Sequence, residues 1–128
     1  MTSCTLRKEE RLRGKRVFSH LFEHGRTFFQ TPYKVFWTET PETGSGEGQV
    51  CFAVSVPKRR FKRAVKRNLM KRRSREVFRT NKQTLSAIIA GGKQIHLLVI
   101  YSSDILLPFA ELETSMKKIL QRIAKNIS

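Results

Sequence analysis

The residues of this chain that could do chemistry are mostly cationic. Between Lys58 and Arg79 stand 12 Lys and Arg and a single acid, Glu76. Guanidinium and ammonium groups at that density are suited to neutralising phosphates. Groups suited to catalysis are dispersed instead. A protein nuclease gathers carboxylates to hold magnesium. Here the acids are scattered, with Glu39, Glu42 and Glu47 in one loop and Glu111 and Glu113 near the C-terminus. No Asp-x-Asp or Glu-x-Lys cluster occurs. His20 and His24 have a spacing that can ligate a metal. No third ligand is evident, and two polar-face histidines are the favoured reading. The stretch GSGEG at 44–48 lacks the Gly-Lys-Ser/Thr ending of a phosphate loop and carries Glu47, so a plain hairpin loop is favoured. No catalytic and no metal-ligating residue is assigned.

Composition narrows the partner. The chain has 128 residues, which sets one domain as the expectation, 1–128, with 1–13 an extended lead-in. A hydrophobic fraction of 39% and nine Phe argue for a folded core. The net charge of +16 repels itself unless a polyanion neutralises it. Nucleic acid is the first candidate, and an anionic membrane surface the second. No apolar run approaches a membrane span, and the N-terminus lacks the apolar middle of a secretion signal. Cys4 and Cys51 have no metal or redox spacing and read as free thiols in a reducing cytoplasm.

The elements that must position the cations follow from periodicity. Val17, Phe18, Leu21 and Phe22 recur at helical spacing between Lys15 and His24, and Gly25 suits the helix end. The segment 33–38 reads as a strand, 39–49 as a loop. In 50–56, Val50, Phe52, Val54 and Val56 face one way and Cys51, Ala53 and Ser55 the other. A basic connection leads to a helix over 62–79. A short helix is expected at 84–90, a buried strand at 95–101, and a last helix after Pro108. Phe109, Leu112, Met116, Ile119, Leu120, Ile123 and Ile127 form its apolar stripe. The order predicts a small α+β or α/β sandwich.

On a helix with about 100° per residue, Arg67, Asn68, Lys71, Arg72, Arg75 and Arg79 fall on one arc, and Leu69, Met70, Ser74 and Val77 mostly on the other side. Lys66 and Arg73 project near the apolar side, from which long stems can carry charge to water. Ordinary solvated faces mix signs, because opposite charges at i,i+4 support a helix. Here Arg67/Lys71, Lys71/Arg75 and Arg75/Arg79 repel, each by a few tenths of a kcal/mol in isolation. A face that tolerates this is suited to phosphates. Phe18, Phe22 and Phe36 admit two readings, core packing or exposed rings on which unstacked bases lie. Small side chains at Cys51, Ala53 and Ser55 would leave room for a strand of RNA.

The run RAVKRNLMKRRSREVF, following SVPKRR, resembles the signature of the protein subunit of bacterial ribonuclease P. Ala64, Val65, Arg67, Asn68, Lys71, Arg72, Arg75 and Glu76 match it. Leu69 departs, standing where the third residue of the family's Arg-Asn-Arg motif is usually Arg, and the projection turns it towards the core side. RLRGKRVFSHLFEHGRTF at 11–28 is similar to the family's opening. The resemblance covers roughly residues 11–125. It implies an α+β sandwich around a central four-stranded sheet packed by helices, with a left-handed crossover against the usual rule, a fold shared with a ribosomal protein domain. It implies a cytoplasmic protein that assists removal of the 5′ leader from precursor tRNA. Arg67, Asn68, Lys71, Arg72 and Arg75 would bind the catalytic RNA. Phe18, Phe22 and Phe36 would line a cleft for the leader, with Lys58 and Arg59 nearby. No cofactor would be held by protein side chains alone, and magnesium would sit on the RNA subunit. A non-enzymatic, ribosomal-type RNA-binding protein and a self-sufficient nuclease are the alternatives.

Overall fold

The structure is a computed structural model that describes residues 15–40, 49–83 and 94–127. The lead-in at 1–13, most of the loop at 39–49 and the short helix expected at 84–90 lie outside the described residues. The elements are helix α1 (Lys15–His24), strands β1 (Arg26–Gln30), β2 (Tyr33–Thr40) and β3 (Gln49–Ser55), helix α2 (Ala64–Asn81), strand β4 (Gln94–Tyr101) and helix α3 (Phe109–Ile127). They form one four-stranded sheet in the order β1-β2-β4-β3. β1 and β2 form an antiparallel hairpin, β2 and β4 are antiparallel, and β3 runs parallel to β4. The sandwich and its four strands agree with expectation.

Strand β1 was not legible from periodicity. Its residues, RTFFQ, are mixed in polarity, and its burial is shallow because it is an edge strand. Strand β2 runs two residues further than the expected 33–38, and α2 begins at Ala64 rather than at 62.

One sheet face is closed. Tyr33, Val35, Trp37, Val50, Phe52, Ile95, Leu97, Val99 and Tyr101 point from it into the core. α2 covers the β3 side, and α3 the β1–β2 side. α3 contributes Leu112, Met116, Ile119, Leu120 and Ile123, as its stripe predicts. Phe109 departs from that stripe and is 37% exposed, standing at the helix start before the stripe reaches the sheet. Pro108 lies immediately before α3, and its carbonyl accepts from the Leu112 N–H at 3.2 Å. Ser115, buried among the apolar residues, donates to the Thr31 carbonyl at 2.5 Å and so fastens α3 to the β1–β2 turn.

α2 is held by few residues. Only Met70, Ser74, Val77 and Phe78 are buried. The ring of Phe78 stacks on Phe52 of β3, centroids 4.2 Å apart. Ser74 shares a hydrogen bond of 2.6 Å with the Tyr33 hydroxyl of β2. Among the described residues the other face of the sheet is covered by α1 alone, through Leu21 on Cys51 and Leu98. α1 stops at Gly25, whose N–H donates to the Leu21 carbonyl at 2.9 Å. A Cβ there would lie 2.4 Å from that carbonyl oxygen and 3.2 Å from the Trp37 carbonyl, so only glycine lets helix and strand approach.

Two predictions follow from the Tyr33–Ser74 pair. Ser74→Ala leaves a buried phenol without a partner, which costs about 1–3 kcal/mol. Urea midpoints should fall accordingly, and Tyr33→Phe/Ser74→Ala should lose less than the two single changes summed. Burial also holds Tyr33 and Tyr101 above their ordinary pKa of 10.0. The folded state keeps these protons where the unfolded chain releases them. Stability is therefore full below about pH 10 and falls as pH rises beyond it. Midpoints at about pH 9 and pH 11 should show that fall, and Tyr33→Phe should reduce it.

Candidate nucleic-acid interface

The closed face turns the outer side of α2 to solvent. Asn68, Arg72 and Arg75 are exposed on it, with Lys71 half-buried at its shoulder. The first turn of α2 holds no acid and its N-cap makes no side-chain bond, so the positive end of the helix dipole adds to the ridge. Arg67 is partly buried. Its Nη1 donates to the Phe61 and Lys62 carbonyls, both at 2.8 Å. It therefore ties the basic connection to the first turn of α2 as well as adding charge.

Not every cation of the run belongs to this surface. Arg79 is gripped by Glu76, with Nε 3.0 Å from Oε1 and a second contact from Nη2 to Oε2. That pairing holds the Glu76 carboxyl below its ordinary range. Arg79, expected on the arc, is thus the ridge's neutralised end. Arg73 turns the other way, donating to the Leu107 carbonyl at 2.9 Å. Arg60 pairs with Asp104 at 3.3 Å. Lys58 and Arg59 are exposed just beyond the end of β3. Leu69 is half-buried rather than turned fully to the core, and Val65 is 78% exposed. The buried residues of α2 centre near Met70 and Ser74, and Leu69 lies more than a quarter-turn from that centre.

The second surface is the open face of the sheet. Strand register sets it out in rows: Thr27, Phe36, Leu98 and Ala53, then Phe29, Lys34, Ile100 and Ser55. Phe22 of α1 is 52% exposed and meets Phe36 edge to face, centroids 5.0 Å apart. Lys34 Nζ lies 5.4 Å from the Phe36 ring. Phe18 and Phe36 are half-buried against Leu21, Cys51 and Leu98. The three expected aromatics are therefore brought together beside α1, with Phe22 the most open. The expected vacancy differs. β3 does not adjoin β2; β4 intervenes, so Leu98 and Ile100 separate Phe36 from Ala53 and Ser55, and Cys51 is buried beneath α1. Phe29 of this face was missed because β1 was, and Lys34 was missed although its strand was expected, because only the aromatic residues of that face were weighed. The unexplained aromatic pair Phe28-Phe29 was the available signal.

Among the described residues no group of three or more His, Cys, Asp or Glu could hold a metal ion. His20 and His24 are ring neighbours on α1, centroids 5.0 Å apart. Among the described residues no helix is long and apolar enough to cross a membrane.

A cationic helix beside a half-open sheet bearing solvent-facing rings defines an RNA-binding α+β protein. The particular family follows from comparison: the ribonuclease P model matches residues 6–124, and the chain belongs to that family. The chain is 36% identical over 124 residues to the ribonuclease P protein component of Porphyromonas gingivalis, covering 95% of this chain and 88% of the relative. It is 38% identical over 82 residues to that of Petrotoga mobilis, covering 64% of each. The fold matches the ribonuclease P protein of Thermotoga maritima with a TM-score of 0.66 at 24% identity, over 88% of this chain and 96% of that one. It matches that of Staphylococcus aureus with a TM-score of 0.64 at 21% identity, over 91% and 95%. The family resemblance read from the helix signature is borne out. The chain is a protein component of ribonuclease P, an RNA-binding partner of the ribonuclease P RNA within an endoribonuclease complex.

The ridge makes a divided prediction. Arg72→Ala and Arg75→Ala should leave thermal melting unchanged. Each should flatten the salt dependence of binding to the ribonuclease P RNA by roughly one unit or less. Arg67→Ala should do the same and also cost stability, about 1 kcal/mol, by releasing two carbonyls. Filter binding across salt concentrations, with melting curves, checks both.

Proposed function

We propose that the two surfaces divide the substrate complex between them. The α2 ridge, through Arg67, Asn68, Lys71, Arg72 and Arg75, binds the catalytic RNA. The open face, through Phe18, Phe22 and Phe36 with Lys58 and Arg59 at its β3 end, holds the single-stranded 5′ leader of precursor tRNA. The observation that carries this reading is the exposed Phe22 ring set edge to face on Phe36. A ring left half in water beside a second ring is suited to stacking on a base. Lys34 beside Phe36 adds a cation for the adjoining phosphate.

Hydrolysis itself is assigned to the RNA subunit and its magnesium. Among the described residues no cluster of carboxylates could cage the ion. The protein's contribution is positioning and charge neutralisation, which lets phosphates crowd where the metal must bind.

Precursor tRNA incubated with the protein alone, the RNA alone and both separates the roles. Cleavage is expected with both and not with the protein alone. Phe22→Ala should weaken holoenzyme binding to precursor tRNA by about 1–3 kcal/mol and leave mature tRNA binding unchanged. Its melting temperature should hold, because Phe22 is largely exposed. Equal weakening for both tRNAs would refute the groove.

A further inference from the structure

Phe29 is the most exposed phenylalanine described, at 54%. It pairs with Lys34 across the β1–β2 hairpin, so it points to the open face, whereas its neighbour Phe28 pairs with Val35 and packs against the core. In an antiparallel pair the diagonal neighbour lies about 7–8 Å away, and for Phe29 that neighbour is Phe36. Phe22, Phe36 and Phe29 thus follow one another from α1 to the outer strand, close enough to take successive bases of one strand.

Cations gather where this row ends. Arg26 is exposed at the start of β1, its guanidinium 5.1 Å from the Trp37 ring centroid. Arg122 of α3 is exposed at the same edge. Its guanidinium lies 4.0 Å from the Phe28 ring centroid, and it donates to the Phe29 carbonyl at 3.4 Å. Lys118, exposed, stands one turn before Arg122 on α3. Arg26 and Arg122 flank β1 from the closed-face side, over Trp37 and Phe28, so a phosphate backbone that leaves the open face and turns round the β1 edge would meet these charges.

The position of the row decides which RNA it meets. α2 packs on the β3 side of the sheet and α3 on the β1 side. An RNA subunit bound to the α2 ridge therefore lies towards β3, and β1 is the edge farthest from it. A leader strand that enters from the RNA subunit reaches β1 last. We propose that Phe29, with Arg26 and Arg122, prolongs the leader surface beyond Phe22 and Phe36 and seats the far nucleotides of longer leaders. This rests on the reading of the open face as the leader groove.

The test is the affinity of reconstituted holoenzyme for precursor tRNAs whose leaders are shortened stepwise from the 5′ end. Phe29→Ala should bind long-leader precursors several-fold to about a hundredfold more weakly than wild type, the range of one lost base stack. The difference should vanish below a threshold leader length. Phe29→Tyr, which keeps the ring, should match wild type, and Phe36→Ala should weaken binding at leader lengths where Phe29→Ala has no effect. Wild-type affinity in Phe29→Ala at every length, or an equal loss that includes mature tRNA, overturns the proposal. Failure of the groove reading looks different: Phe36→Ala then has no effect at any length, and leader length does not matter even to wild type.

Discussion

The structure depends on how a helix that repels itself is held to a sheet. α2 spans 18 residues with four buried side chains, and its outer side is cationic. Its like-charged neighbours oppose the helix, and tertiary packing must supply what local interactions do not. The stack of Phe78 on Phe52 supplies apolar contact to β3. The bond between Ser74 and Tyr33 reaches past β4 to β2, and its direction sets the rotation of the helix about its axis. A rotation of one residue, about 100°, would bury arginines and expose the anchor. The ridge faces outward because the anchor faces inward.

The second feature is the unequal cover of the two sheet faces. α2 and α3 close one face, and among the described residues only the short α1 covers the other. Leu21, Cys51 and Leu98 make a small buried patch there, and beyond it the rings of Phe22 and Phe29 meet water. A larger α1 would bury them. The shortness of α1, ended by a glycine that a side chain would push away from the strand, preserves the open face.

Much of this was legible in the sequence because the relevant elements are strongly patterned. The alternation of 50–56 and the stripe of the last helix follow from burial on one side. The cationic arc was legible for the same reason. Three details were not. β1 is a five-residue edge strand whose residues are mostly exposed or half-buried, so alternation of hydrophobicity barely marks it. Phe78 falls between Arg67 and Lys71 in projection, on the charged arc, yet it is fully buried against Phe52. Which cations serve the protein itself was also hidden. Arg60, Arg73 and Arg79 are committed to Asp104, Leu107 and Glu76, partners set partly by tertiary structure. The aromatic cluster was legible as residues but not as a place, since the strand order separates Phe36 from the small side chains of β3.

That strand order has a consequence for how the chain comes together. β4 is the last strand in sequence and an inner strand in space, and β2 and β3 meet only through it. Until residues 94–101 are available, the earlier segments amount to one hairpin and one solitary strand, each with bare backbone along an edge. The interlocking contacts span large sequence separations, which slows folding because loop entropy is lost before contacts compensate it. A chain ending before β4 would lack the middle of its sheet rather than its border. The cationic helix would then have no completed surface to lie on, so the outward-facing ridge and the completion of the fold arrive together, once β4 is in place.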